Sequence, residues 1–498
     1  MFIKKIEIKN FRNYQEFDFN NFAIPDYKNV GSGLTIFAVE NGCGKTNLLD
    51  AIALSLLEYK SETFDIDDLN AIEKDCEISV LSNKDFEVKD IIGQKTFCGS
   101  GFYFKGKIKE KSVKKYLSKI TTYNREYIPK IKEDKDYNPK LSVNVSNPFS
   151  QTSRYDALDV LYLDKNRFYQ TKSGTFNKTR FDRLMDDFNF QLINSKTEEK
   201  DANDIINKAI EEIEADKKSK KKIENNFLAE AVEKFKQISN HQIKLNFLNN
   251  LKPFSSAFFA SKTENNIQLE LDKIGSGYES IFSLLYSCYL AKQSEKNLII
   301  LIDEPELHLH PKLQDEFIKI LFEFSKESQI ILTTHSPIFV KQALCNQNVK
   351  INVVKKDKNP DEIHKEEFLL NEDDYISANE VNFVAFDLAT EEYHNDLYEL
   401  LMCKTGNKGK SIQSFDTNFF QAKKQEANYH TEKEGNNKKH SIHTNIRHQI
   451  HHKFTGKFYK NDQKFLYSYQ DLETSIKFMR QTLKSLEHKD ASENEIPF

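Results

Sequence analysis

Leu34-Thr35-Ile36-Phe37-Ala38 followed by Val39-Glu40-Asn41-Gly42-Cys43-Gly44-Lys45-Thr46 is the stretch whose reading decides the fold. The first five residues predict a short buried strand, residues 39–46 a glycine-bearing loop, and Leu48 to Leu57 an apolar helix. Strand, loop and helix in that order open an α/β nucleotide-binding unit. A phosphate cradle needs backbone N–H groups turned inward, which Gly42 and Gly44 permit, and the helix start directs its positive dipole end at the anion. The expected nucleotide-binding set is Asn41, Gly42, Cys43, Gly44, Lys45, Thr46 and Asn47, with Lys45 reaching the β- and γ-phosphates and the Thr46 hydroxyl ligating Mg²⁺. The pattern GxxxxGK[ST] expects glycine where Val39 stands, which predicts an altered loop turn with the cradle retained.

Upstream, Phe2, Ile3, Ile6, Ile8 and Phe11, then Phe17 and Phe19, recur with a period near two, as a pair of adjacent strands does. Downstream, Leu298-Ile299-Ile300-Leu301-Ile302 is an apolar strand that delivers Asp303-Glu304-Pro305-Glu306 to its carboxyl end. Open α/β sheets bind ligands at that edge. Asp303 is the expected second Mg²⁺ ligand, and Glu304 the base that orients and deprotonates an attacking water. A further apolar strand, Ile330 to Thr333, ends near His335, which is either an ordinary strand-end residue or a donor to the γ-phosphate. Ile274-Gly275-Ser276-Gly277-Tyr278-Glu279-Ser280 opens a helix whose small residues suit Ser276 and Gly277 to a phosphate held by another subunit.

The order of these motifs resembles the ATP-binding-cassette-type heads of the RecF, structural-maintenance (SMC) and OLD (overcoming lysogenization defect) families. The phrase Asp303-Glu304-Pro305-Glu306-Leu307-His308-Leu309-His310-Pro311 is especially similar to OLD-like ATPases of bacterial defence loci, and Ile8-Lys9-Asn10-Phe11-Arg12-Asn13 resembles the start of such chains. The resemblance covers roughly residues 1–60 and 240–345. It implies that Gly275 to Ser280 caps ATP bound to the Lys45 loop of a partner head, that His335 is the switch histidine, and that Lys45, Glu304 and His335 carry hydrolysis. Gln94 and Gln151 are both candidates for the family's lid glutamine.

The 498 residues favour two or three structural units, and a net charge of −4 leaves nucleic-acid contact to local patches. One such patch is the run Lys217, Lys218, Lys220, Lys221, Lys222, readable as a solvated helical tip or as a phosphate contact. Cys43, Cys76, Cys98, Cys288, Cys345 and Cys403 form no CxxC pair, and no apolar stretch is long enough for a signal peptide or a membrane span. A cytoplasmic protein is expected. The predicted fold is α/β: an ATP-binding-cassette-type head with a mixed sheet, a charged helical insertion and a mainly helical C-terminal region. The expected boundaries are 1–175 and 241–370 for the two lobes of the head, 176–240 for the insertion, and 371–498 for an effector or interaction region. Residues 404–440, polar and rich in Lys, Asn and Gln, predict a loose connection.

No strand after residue 371 delivers the Glu and Asp-x-Asp set of an OLD-type Toprim nuclease. Instead Ile442, Ile446, Ile450 and Phe454 make the buried stripe of a helix, with His443, Arg447 and His451 in a neighbouring column and His448 and His452 flanking it. Histidine can move a proton from a ribose 2′-OH, and arginine can stabilise a pentacoordinate phosphate. The Arg447-His448-x3-His452 spacing resembles the motif of HEPN ribonucleases, which implies Arg447, His451 and His452 as an RNase set. A solvent- or partner-facing helix and a metal-binding histidine tract are the other readings. The expected function is an ATP-binding, ATP-hydrolysing, Mg²⁺-dependent switch of an antiviral (anti-phage) system. It would act as a head-to-head homodimer or larger oligomer, respond to a phage-derived trigger, and control a nuclease acting on RNA or DNA. The effector is either the HEPN-like tail or a separately encoded nuclease. RecF-like DNA repair is the remaining alternative.

Overall fold

The computed structural model describes residues 1–39, 44–56, 64–71, 74–89, 96–108, 141–146, 158–163, 233–238, 242–247, 257–262, 268–270, 278, 281–282, 285, 297–307, 309–355, 359–372, 375–421, 429–433, 436–452 and 467–493. Two compact units result, residues 1–363 and 364–498. Of the helical insertion expected over 176–240 only 233–238 are described, so that expectation lies outside the described residues, as do Gln94, Gln151 and the 217–222 lysine run.

In the first unit the elements follow as β1 (Ile3–Phe11), β2 (Tyr14–Phe19), β3 (Leu34–Val39), α1 (Lys45–Leu56), β4 (Cys76–Lys89), β5 (Thr96–Ile108), β6 (Leu141–Ser146) and β7 (Leu158–Leu163). Then come β8 (Gln242–Phe247), β9 (Ala257–Lys262), β10 (Gln268–Glu270), β11 (Asn297–Asp303), α2 (Pro311–Phe324), β12 (Gln329–Thr334), α3 (Pro337–Leu344), β13 (Lys350–Val354) and β14 (Asp361–Glu362). A six-stranded sheet runs β14-β13-β3-β12-β11-β7, parallel except for β14 at its edge. Strands β11 and β12 are buried almost throughout because parallel strands at a sheet's centre are covered on both faces. Their shared direction brings the ends of β3, β11 and β12 to one edge.

The alternation read at the N-terminus is the β1–β2 pair, in which Ile6 faces Phe19 and Ile8 faces Phe17. These strands belong to an antiparallel sheet ordered β2-β1-β4-β5-β6, and β8, β9 and β10 form a third sheet. Helix α1, buried from Leu48 to Leu56, shares one core with Ile8 and Ile78 of the antiparallel sheet and Leu301 and Ile331 of the parallel sheet. Gln329 ties the same layers by hydrogen bonds. The Ile3 N–H donates to its Oε1 at 2.7 Å, and its Nε2 donates to the carbonyls of Ile3 at 2.7 Å and Ala23 at 2.9 Å.

The second unit holds β15 (Asn371–Glu372), β16 (Tyr375–Ile376), α4 (Ala378–Phe386), α5 (Glu391–Lys404), β17 (Tyr429–Lys433), β18 (Asn436–His440), α6 (Ile442–His452) and α7 (Tyr469–Glu493). Leu472, Ile476, Met479 and Leu483 make the buried stripe of α7 and pack with Tyr393, Leu397 and Leu401 of α5 and Ile446 of α6. The segment expected as a loose connection contributes to this core. Phe415 and Phe420 are buried, and Asp416 between them accepts hydrogen bonds from Ser441 and Thr444. Two aromatics anchor the segment despite its polar surroundings. No helix among the described residues is long and apolar enough to cross a membrane.

Candidate active site

The parallel edge gathers five of the expected residues. Lys45 and Thr46 open α1, Asp303 ends β11, Glu304 follows it, and His335 follows β12. Asp303 is fully buried, yet both carboxylate oxygens are engaged: Thr46 Oγ1 donates to Oδ2 at 2.9 Å and Thr333 Oγ1 donates to Oδ1 at 2.6 Å. Burial raises its pKa, and the two hydroxyl donors work against that rise. A buried carboxylate beside a helix-borne hydroxyl is the donor pair a hard divalent cation takes, so Asp303 and Thr46 fit Mg²⁺.

Glu304 adopts a left-handed backbone with φ +46°, while its N–H still reaches the Thr333 carbonyl at 3.1 Å. Such a conformation is costly for a residue with a Cβ and persists where neighbours hold it. Its Oε1 is ion-paired with Lys45 Nζ and stands 3.8 Å from His335 Nε2. Glu306, which the sequence reading left without a role, accepts the His335 backbone N–H at 2.6 Å.

The hairpin between β1 and β2 holds Gly44 and the first turn of α1. Tyr14 Oη donates to the Gly44 carbonyl at 3.0 Å, and Asn47 Nδ2 donates to Asn13 Oδ1 at 2.6 Å. Arg12, itself left-handed at φ +46°, donates to Asp68 at 2.8 Å and to Asn47 and Asp50 at 2.9 and 2.6 Å. Asp50 also accepts from Tyr162 Oη at 2.8 Å. Arg12, Asn13 and Tyr14 lie in or beside the phrase on which the N-terminal resemblance rests, and that phrase was their only signal.

Asn41, Gly42 and Cys43 of the cradle and Ser276 and Gly277 of the subunit-capping segment lie outside the described residues. Of the C-terminal set, Arg447 and His451 stand one turn apart on α6, and the His452 side chain is outside the described residues. His451 is exposed. Arg447 is mostly covered, with Nη2 on Glu399 at 3.2 Å and its guanidinium 5.1 Å from the centre of the Tyr398 ring. Its column neighbour His443 is a core residue: Nδ1 meets Ser475 Oγ at 2.7 Å and the ring stacks on Phe478. Among the described residues, no group of three or more His, Cys, Asp or Glu could hold a metal ion.

The AAA ATPase domain family matches this chain over residues 1–340. An OLD nuclease of Thermus scotoductus is 32% identical over 119 residues, which cover 24% of this chain and 22% of that protein. A protein of Vibrio cholerae named "Retron Vc95 probable ATPase" is 25% identical over 388 residues, 68% of this chain and 73% of that protein. Among solved structures, an Smc head bound to the C-winged helix domain of ScpA aligns with a TM-score of 0.44 and 16% identity, covering 74% of this chain and 99% of that one. This chain thus spans under a quarter of the length of the OLD nuclease it matches.

Proposed function

Because the chain belongs to the AAA ATPase domain family, we propose that its ATP turnover is the switch of an antiviral defence system, in which two copies meet head to head and control a nuclease. The observation that supports the hydrolytic reading is the gathering of Lys45, Thr46, Asp303, Glu304 and His335 at one sheet edge. Lys45 leaves Glu304 and takes the β- and γ-phosphate oxygens. Asp303 and Thr46 would hold Mg²⁺, whose charge offsets that of the phosphates. Glu304, once released, accepts the proton of the attacking water, and His335 offers a donor to the γ-phosphate oxygens as charge builds there. In this proposal the backbone amides from Asn41 to Asn47 would cradle the phosphates. Ser276 and Gly277 of the partner subunit would cap the same phosphates from the other head.

Kinship with an OLD nuclease and a retron ATPase supports the defence setting and a nuclease as the controlled activity. Between the two effector versions, the pairing of Arg447 with Glu399 and Tyr398 favours a separately encoded nuclease, with residues 364–498 as its binding region. An arginine already committed to an ion pair and a ring face must be released before it can meet phosphate.

Glu304→Gln tests the switch. Hydrolysis should fall about 100-fold or more while ATP still binds, and ATP should shift the variant from monomer to dimer in light scattering. Normal turnover by Glu304→Gln would remove the proposed base. Incubation of the parent protein with total tRNA, beside Arg447→Ala, tests the effector. Cleavage lost in that variant would return the RNase to the tail.

A further inference from the structure

Between β11 and β12 the parallel ladder runs as far as the pairing of Asp303 with Thr333, and one more bond follows, from Glu304 N–H to the Thr333 carbonyl. There it must stop. The left-handed backbone of Glu304 turns the chain away from β12, and Pro305 has no N–H to give. The His335 N–H, which a continued ladder would present to a backbone carbonyl, goes instead to Glu306 Oε1 at 2.6 Å. The turn that aims this carboxylate is closed by the Leu307 N–H on the Glu304 carbonyl at 3.2 Å and the Leu309 N–H on the Glu306 carbonyl at 2.9 Å.

Two polar atoms in this corner are buried without a hydrogen-bond partner, Glu306 Oε2 and His335 Nε2. Leaving such an atom unsatisfied costs about 1–3 kcal/mol, so stability alone does not explain why this corner keeps two of them. The charged groups facing Glu306 are Glu304 from its own turn and Lys45 from α1, with Thr334 beside it at the end of β12. Burial pushes the Glu306 carboxyl up to about 7.

We propose that Glu306 is a positioning residue for ATP hydrolysis: by holding the main chain of His335 it fixes the imidazole over Glu304, so that the two sides of the γ-phosphate site move as one piece. The inference rests on the reading of Glu304 and His335 given above. Glu306 itself touches neither nucleotide nor water in this scheme. A shift of about 1 Å in a group of this kind can cost a hundredfold in rate.

Steady-state ATPase kinetics of the full chain, with a fluorescent ATP analogue to measure binding, test it. Glu306→Ala should lower kcat about 10- to 100-fold and leave KM and analogue affinity within about threefold. Glu306→Gln keeps a carbonyl oxygen for the His335 N–H and should recover most of the rate. In a His335→Ala background the Glu306→Ala change should have no further effect. Should Glu306→Ala fail to fold, Glu306→Asp, one methylene shorter, should show the same fall in kcat. Overturning results are an unchanged kcat in Glu306→Ala (or in Glu306→Asp where that variant stands in), a Gln variant as slow as the Ala variant, or a full additional loss in the His335→Ala background. Glu304→Gln run alongside separates the failures. If it turns over normally the underlying site reading falls, whereas if it is dead and Glu306→Ala is normal, only the role of Glu306 falls.

Discussion

Gly44 shows how narrowly the cradle is set. Its φ is +85°, and a Cβ built there would stand 2.2 Å from Asn13 Nδ2. Both the left-handed backbone, about 1–2 kcal/mol for an L-residue, and the asparagine oppose any side chain. Gly44→Ala should therefore weaken ATP binding more than about tenfold, each tenfold being about 1.4 kcal/mol. A nucleotide titration with unchanged affinity would show that this loop is not the cradle. Residues at or beside the ends of apolar strands and at the helix start could be read in advance: Lys45 with Thr46, Asp303 with Glu304, and His335. Arg12 could not be, since its partners Asp50 and Asp68 lie 38 and 56 residues away. Nor could the Tyr162 bond to Asp50, across 112 residues. Glu306 stood in the quoted phrase, but its purpose depends on where His335 arrives, and spacing alone does not supply that.

At the scale of elements, α7 meets α4 and α5 through charge as well as through its apolar stripe. Arg480 donates to Glu380 and to Tyr393 Oη, and Glu380, fully buried, also accepts the N–H groups of Leu369 at 2.9 Å and Leu370 at 2.7 Å. Removing one partner of a buried pair strands the other, at about 3–5 kcal/mol. Arg480→Met should lose stability of that size in denaturant unfolding, and adding Glu380→Gln should restore part of it by removing the stranded charge. A loss below about 1 kcal/mol in the single variant would mean that this pair does not hold α7 to α4. The helices themselves were legible wherever apolar residues recurred every three or four positions, as in α6. The segment holding Phe415 and Phe420 was misread because two buried rings among polar neighbours make no period, and the α5 and α6 faces that receive them are brought together only by the fold.

For the molecule as a whole, acid should act on the second unit through two buried imidazoles. In residues 364–498, burial holds His394 down at about 3 and His443 at about 4, both meeting Ser475 Oγ. An unfolded imidazole titrates near about 6.5, so the folded unit gains from keeping both rings neutral above that pH and loses the gain as pH falls toward 4. The thermal transition of this unit should drop between pH 7 and pH 5, and His443→Gln should flatten part of the drop. An equal slope in the variant would assign the effect to other groups. In the first unit a different economy holds. Gln329 is a single amide that grips the first strand of one sheet and the approach to another, so the layers cannot slide like sheets of paper. Sliding one layer over the other would break both of its bonds to Ile3 and leave buried polar groups unpaired.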